Sequence, residues 1–68
     1  MQISARNVLE GTIKDIKKGA TTSHVTVDVG GQTVTAAITN ESVDELDLKT
    51  GAKVMAVIKS SDVMIATP

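Results

Sequence analysis

The chain has no cysteine, no Phe, Trp or Tyr, and a single histidine among its 68 residues. Without cysteine there is neither a disulfide nor a thiolate metal site. One imidazole excludes a site built from several histidines of one chain. Without aromatic rings the base-stacking platforms of single-strand binders are missing. A formal net charge of −1 leaves no basic footprint for nucleic acid. The longest unbroken apolar run, Val54 to Ile58, is far short of a membrane span. No charged segment leads into an apolar one at the N-terminus, so no signal peptide is expected, and the expected location is cytoplasmic.

What remains is one small domain over residues 1–68, with a core drawn from Val, Ile, Leu, Met and Ala. A chain this short buries a modest fraction of its surface. Small scaffolds commonly compensate by oligomerising, and the strand patterns below point the same way.

Val8 to Ile16 reads as the first strand. Leu9, Gly11 and Ile13 alternate, and Ile16 breaks the phase by one, which predicts a bulge near Lys14-Asp15. Gly11 permits a bend or a close backbone approach. Lys17-Lys18-Gly19 reads as a turn. Ser23 to Val29 places Val25, Val27 and Val29 on one face, and Thr33 to Ile38 does the same with Val34, Ala36 and Ile38. Gly30-Gly31 between them predicts a two-residue hairpin. A short helix follows from about Glu41 to Leu46, with Asn40 as N-cap and capping-box spacing between Ser42 and Glu45. Leu48 returns to the core, and Lys49-Thr50-Gly51 is a turn. Lys53 to Lys59 and Val63 to Ala66 read as strands four and five, both apolar on two faces. An antiparallel strand with one wet face alternates, so these two require a cover on the second face, for which a partner subunit is the simplest candidate. Three strands, a short helix and two strands is the order of an OB-type five-stranded antiparallel barrel, all-β with one short helix.

Two polar clusters stand out at the ends. Ser4-Ala5-Arg6-Asn7 offers a hydroxyl, a guanidinium fork and an amide, and Lys59-Ser60-Ser61-Asp62 offers an ammonium beside two hydroxyls. Such groups suit a small oxyanion if the clusters meet, within or between chains. No nucleophile stands with a base in a catalytic arrangement. His24, on the polar face of a valine strand, reads as a surface or interface histidine.

Ser4-Ala5-Arg6-Asn7, Gly11, Lys18-Gly19 and the run Val57-Ile58-Lys59-Ser60-Ser61-Asp62-Val63-Met64-Ile65 together resemble the molbindins, or Mop proteins, over essentially the whole chain. The resemblance implies an OB-type barrel assembling as a homo-hexamer, a trimer of dimers, that holds molybdate or tungstate at subunit interfaces. It implies storage or buffering of molybdenum for cofactor synthesis, with an oxyanion-sensing regulatory or interaction subunit as the alternative. It assigns one kind of site to Ser4, Ala5 and Arg6 of one subunit together with Lys59, Ser60 and Ser61 of another. A second kind lies about threefold axes, for which the helix start at Asn40, Glu41 and Ser42 is the physical candidate. No catalytic cofactor, directly liganded metal cation, nucleic acid or membrane is expected.

Overall fold

The computed structural model describes Ser4 and residues 6–68. Alternating apolar residues build four antiparallel strands, β1 (Asn7–Lys18), β2 (Thr22–Val29), β3 (Gln32–Thr39) and β4 (Lys53–Ile58), in the sheet order β3-β2-β1-β4. Strand β1 is the long spine. Its first half pairs with β4, from Asn7 opposite Ile58 to Thr12 opposite Lys53, and its second half pairs with β2. Thr12 belongs to both ladders.

The expected bulge is present: the β1–β2 register jumps from Ile13–Val27 to Asp15–Thr26. Lys14 is the extra residue, and it lets Ile13 and Ile16, an odd spacing apart, both turn inward. The β2–β3 hairpin closes through Gly30 and Gly31, at φ 65° and 90°, both in the left-handed region that a primed turn demands. Asp28 Oδ1 accepts the Gly31 N–H at 2.9 Å.

The core is small. Ile13, Val25, Val27 and Val43 are buried, and Ile16, Val29, Ile38, Leu48, Ala52 and Val54 pack around them. Helix α1 (Asn40–Glu45) continues directly from β3 and contributes Val43. It ends in a Schellman arrangement, in which Asp47 N–H donates to the Asp44 carbonyl and Leu48 N–H to that of Val43. Asp47 takes the left-handed position itself, at φ 53°. Leu46, the expected end of the helix, caps it and is exposed.

Three expectations need correction. Lys17 and Lys18 lie in β1, opposite His24 and Ser23, and the turn starts at Gly19. Charged side chains on a wet strand face resemble a turn in sequence. The helix N-cap is Thr39 and not Asn40: Thr39 Oγ1 accepts the Ser42 N–H at 3.0 Å. Asn40 is engaged elsewhere, accepting from Ser23 Oγ and donating to the Gly19 carbonyl at 3.0 Å. Finally, the fifth strand of the expected barrel is not formed. β4 is followed by a single helical turn, Ser60–Asp62, and residues 63–68 join no ladder among the described residues, with Met64 and Ile65 almost fully exposed. An apolar run signals that a segment is to be buried; it does not name the strand edge that receives it. An apolar groove of about 550 Å3 opens over Ile13, Val25 and Val27, lined on one side by β3 and on the other by β4.

Candidate functional site

The β1–β4 register gathers the two polar clusters. The ladder runs out at Asn7 opposite Ile58, so Arg6 and Lys59 are the next residues outward on the same pair of strands. They are far apart in sequence and leave one end of one ladder. The rung is reinforced by the Asn7 side chain, whose Nδ2 donates to the Ile58 carbonyl at 3.2 Å. Beyond it, Lys59 is still extended, at φ −63° and ψ 140°, and the chain then tightens into the turn Ser60–Asp62. Asp62 N–H donates to the Lys59 carbonyl at 2.9 Å, and Val63 N–H to that of Ser60 at 3.3 Å. The turn thereby keeps the Ser60 and Ser61 hydroxyls within a residue or two of the ladder end.

Ser4, Arg6, Lys59, Ser60 and Ser61 are all exposed. Ala5, the sixth expected member, lies outside the described residues. Among the described residues the ion pairs are Lys18–Asp44 at 2.9 Å and Lys49–Asp47 at 3.6 Å, and neither involves Arg6 or Lys59. A guanidinium and an ammonium sharing one end of a ladder, with hydroxyl donors alongside, can do one thing well. They can receive a multiply charged anion through charge-assisted hydrogen bonds.

The second candidate group sits elsewhere. Asn40, Glu41 and Ser42 form the first turn of α1, beside the β1–β2 turn. Much of their polar capacity already has a use within the chain. Asn40 N–H donates to the Thr21 carbonyl at 2.9 Å, and its side chain joins buried Ser23 to Gly19. Ser42 N–H and hydroxyl both meet Thr39 Oγ1. His24 is exposed on β2, opposite Lys17 and Ala37. Among the described residues no group of acidic and imidazole side chains could hold a metal ion, and no helix is long and apolar enough to cross a membrane.

The family model of the TOBE domain matches residues 3–65. Over 66 residues the chain is 50% identical to molybdenum-pterin-binding protein 1 of Clostridium pasteurianum, covering 96% of this chain and 97% of that one. The solved structure of a molybdate binding protein from Sporomusa ovata superposes with a TM-score of 0.94 at 42% identity, over 98% of this chain and 100% of that one. ModG, described as a cytoplasmic molybdate-binding protein and solved with molybdate bound, gives a TM-score of 0.95 at 46% identity. There the match covers 100% of this chain and 49% of ModG. The sheet matches those of binding proteins whose names speak of molybdate and molybdenum-pterin, and so does the sequence along almost its full length; this chain belongs to the TOBE domain family, in its molbindin (Mop) branch.

Proposed function

We propose that this chain is a cytoplasmic molybdate- and tungstate-binding protein that stores or buffers the oxyanion, and that it is not an enzyme. The observation that carries the reading is the end of the β1–β4 ladder, where Arg6 and Lys59 follow Asn7 and Ile58 on paired strands. The names of the relatives and the molybdate in ModG support the choice of ligand.

Molybdate is a tetrahedral dianion with four acceptor oxygens. Arg6 supplies two parallel N–H donors to two of them. Lys59 supplies a compact positive charge against the second negative one. The hydroxyls of Ser4, Ser60 and Ser61, with the Ala5 N–H, complete the shell. No bond in the ligand breaks, so the site needs donors, charge and exclusion of water. All the described members are exposed in a single chain, which favours a site completed by a neighbouring subunit.

Two apolar surfaces support the assembly as a homo-hexamer, a trimer of dimers. One is the outer face of β1 and β4, where Val8, Met55 and Val57 are exposed. The other is the groove between β3 and β4 together with the unpaired segment Val63-Met64-Ile65. Two distinct surfaces are what an assembly with two kinds of interface requires. Site occupancy then stabilises the oligomer by mass action. Residues 1–68 act as one such domain, and a second anion position lies about the threefold axes near Asn40, Glu41 and Ser42.

Titration of molybdate into the metal-free protein, followed by native mass spectrometry and calorimetry with sulfate as control, tests the reading. Arg6→Ala should weaken binding at this site by about 100-fold and Lys59→Ala by about 10-fold, the range for hydrogen bonds to charged groups. Both variants should stay folded. Normal stoichiometry and affinity in Arg6→Ala, or loss of different sets of sites in the two variants, would refute a shared site.

A further inference from the structure

The half-buried amide of Asn7 lies one residue from both cations, yet nothing in the oxyanion shell above uses it. Its bond to Ile58 has a specific consequence. The carbonyl it engages belongs to the peptide that leads into Lys59, and Asn7 itself is joined directly to Arg6. Like charges placed opposite each other on paired strands repel. Before an anion arrives, Arg6 and Lys59 therefore push the end of the β1–β4 ladder apart. A side-chain hydrogen bond on the last rung resists that push at the place where it acts.

We infer that Asn7 is a positioning residue for the oxyanion site: its amide clamps the Ile58 carbonyl and holds the Arg6 and Lys59 ends of the two strands together before the anion binds. The inference rests on the proposed reading of that site. Asn7 contributes by keeping the donors near their bound arrangement, so less ordering remains to be done on binding. It does not touch the ligand.

The test uses the full chain with molybdate as probe. Asn7→Ala should weaken molybdate binding about 3- to 10-fold, the range of one lost neutral hydrogen bond. The number of anions bound should stay the same. Asn7→Gln, which retains an amide donor, should recover most of the affinity. In the anion-free protein, backbone amides at residues 57–59 should exchange faster in Asn7→Ala than in wild type. Saturating molybdate should remove much of that difference, because the anion then neutralises the repulsion.

Wild-type affinity in Asn7→Ala would overturn the inference. So would disappearance of the sites, which would make Asn7 a direct ligand or a folding residue. If the wild-type chain binds no oxyanion, the functional reading fails, and the positioning role fails with it. Faster exchange in Asn7→Ala would in that case leave the amide as a brace of the ladder and nothing more. The exchange and affinity readouts thus separate failure of the clamp from failure of the site.

Discussion

Replacing Gly11 by alanine probes the joint on which the fold turns. Gly11 pairs with Val54 of β4 and sits one residue before Thr12, where β1 also begins to pair with β2. A Cβ at this position would lie 2.5 Å from the Asp28 carbonyl oxygen and 2.7 Å from Cγ1 of both Val27 and Val29. Ordinary contact begins near 3.4 Å, so the carbonyl and the new carbon overlap by roughly 0.9 Å. The valine methyls can rotate in part, but the Asp28 carbonyl belongs to the β2 backbone and cannot retreat without disturbing its ladders. Overpacking of this kind costs about 1–3 kcal/mol, and one or two strained ladder bonds add about 1 kcal/mol each. The loss of glycine freedom in the unfolded chain returns about 0.4–1 kcal/mol. Gly11→Ala should therefore destabilise by about 2–4 kcal/mol. That is a large share of the ~5–15 kcal/mol typical of a folded domain. With no aromatic residue in the chain, urea unfolding is followed by far-ultraviolet circular dichroism at several protein concentrations, to separate folding from assembly. A midpoint corresponding to less than 0.5 kcal/mol of change would refute the argument, and would mean that β1 passes β2 with room to spare.

Other substitutions test single features. Asp47→Gly should stabilise by about 0.5–1 kcal/mol, because glycine adopts the left-handed helix end more readily, and only an exposed ion pair with Lys49 is lost. Gly30→Ala meets no atom within 4 Å, so its cost, about 1–2 kcal/mol, should be conformational alone; Gly30→Asn should cost less. Asn40→Ala should lower the unfolding free energy by about 2–3 kcal/mol, because it removes two hydrogen bonds and leaves the fully buried Ser23 hydroxyl without a partner. Asn40→Asp should recover little of that, since a carboxylate oxygen would then face the Gly19 carbonyl. Thermal or urea unfolding reads each of these. An Asn40→Ala protein as stable as wild type would show that the polar joint between β2, α1 and the β1–β2 turn is dispensable.

The parts of the fold that were legible are those where one face is wet and one is dry. Val25-Val27-Val29 and Val34-Ala36-Ile38 announce their strands, and Gly30-Gly31 announces the turn between them. The odd spacing of Ile13 and Ile16 locates the bulge at Lys14. Illegible parts are those decided by what lies across from a residue. Thr39 and Asn40 are both good caps by type; the buried Ser23 hydroxyl claims Asn40 and leaves the cap to Thr39. Lys17 and Lys18 stay in β1 because His24 and Ser23 pair with them. Val63 to Ala66 carries a burial pattern without a partner strand among the described residues. For the candidate site, the residue types and the idea that the two clusters meet were legible; the register that puts Arg6 and Lys59 at one ladder end was not. Arg6 approaches Lys59 only because β1 pairs with β4 in one register, and a slip of one residue would turn the side chains of one strand to the opposite face. The role of Asn7 is hidden for the same reason, since its acceptor is a carbonyl 51 residues away.

That separation also sets an order of events. The β2–β3 hairpin closes across two residues, Gly30 and Gly31, and β1 joins β2 through a short turn. The β1–β4 ladder must instead close a loop of about 50 residues, the most expensive closure in the chain. Non-local pairings of this kind form late. Arg6 and Lys59 are therefore expected to meet in the final step of folding, after the core around Ile13, Val25 and Val27 has condensed. Pulsed amide labelling during refolding reads this directly, with protection at β2 and β3 ahead of protection at residues 7–10 and 54–58. A nascent or partly unfolded chain would then have no competent anion site, and oxyanion would be withdrawn from solution only by molecules that have finished folding.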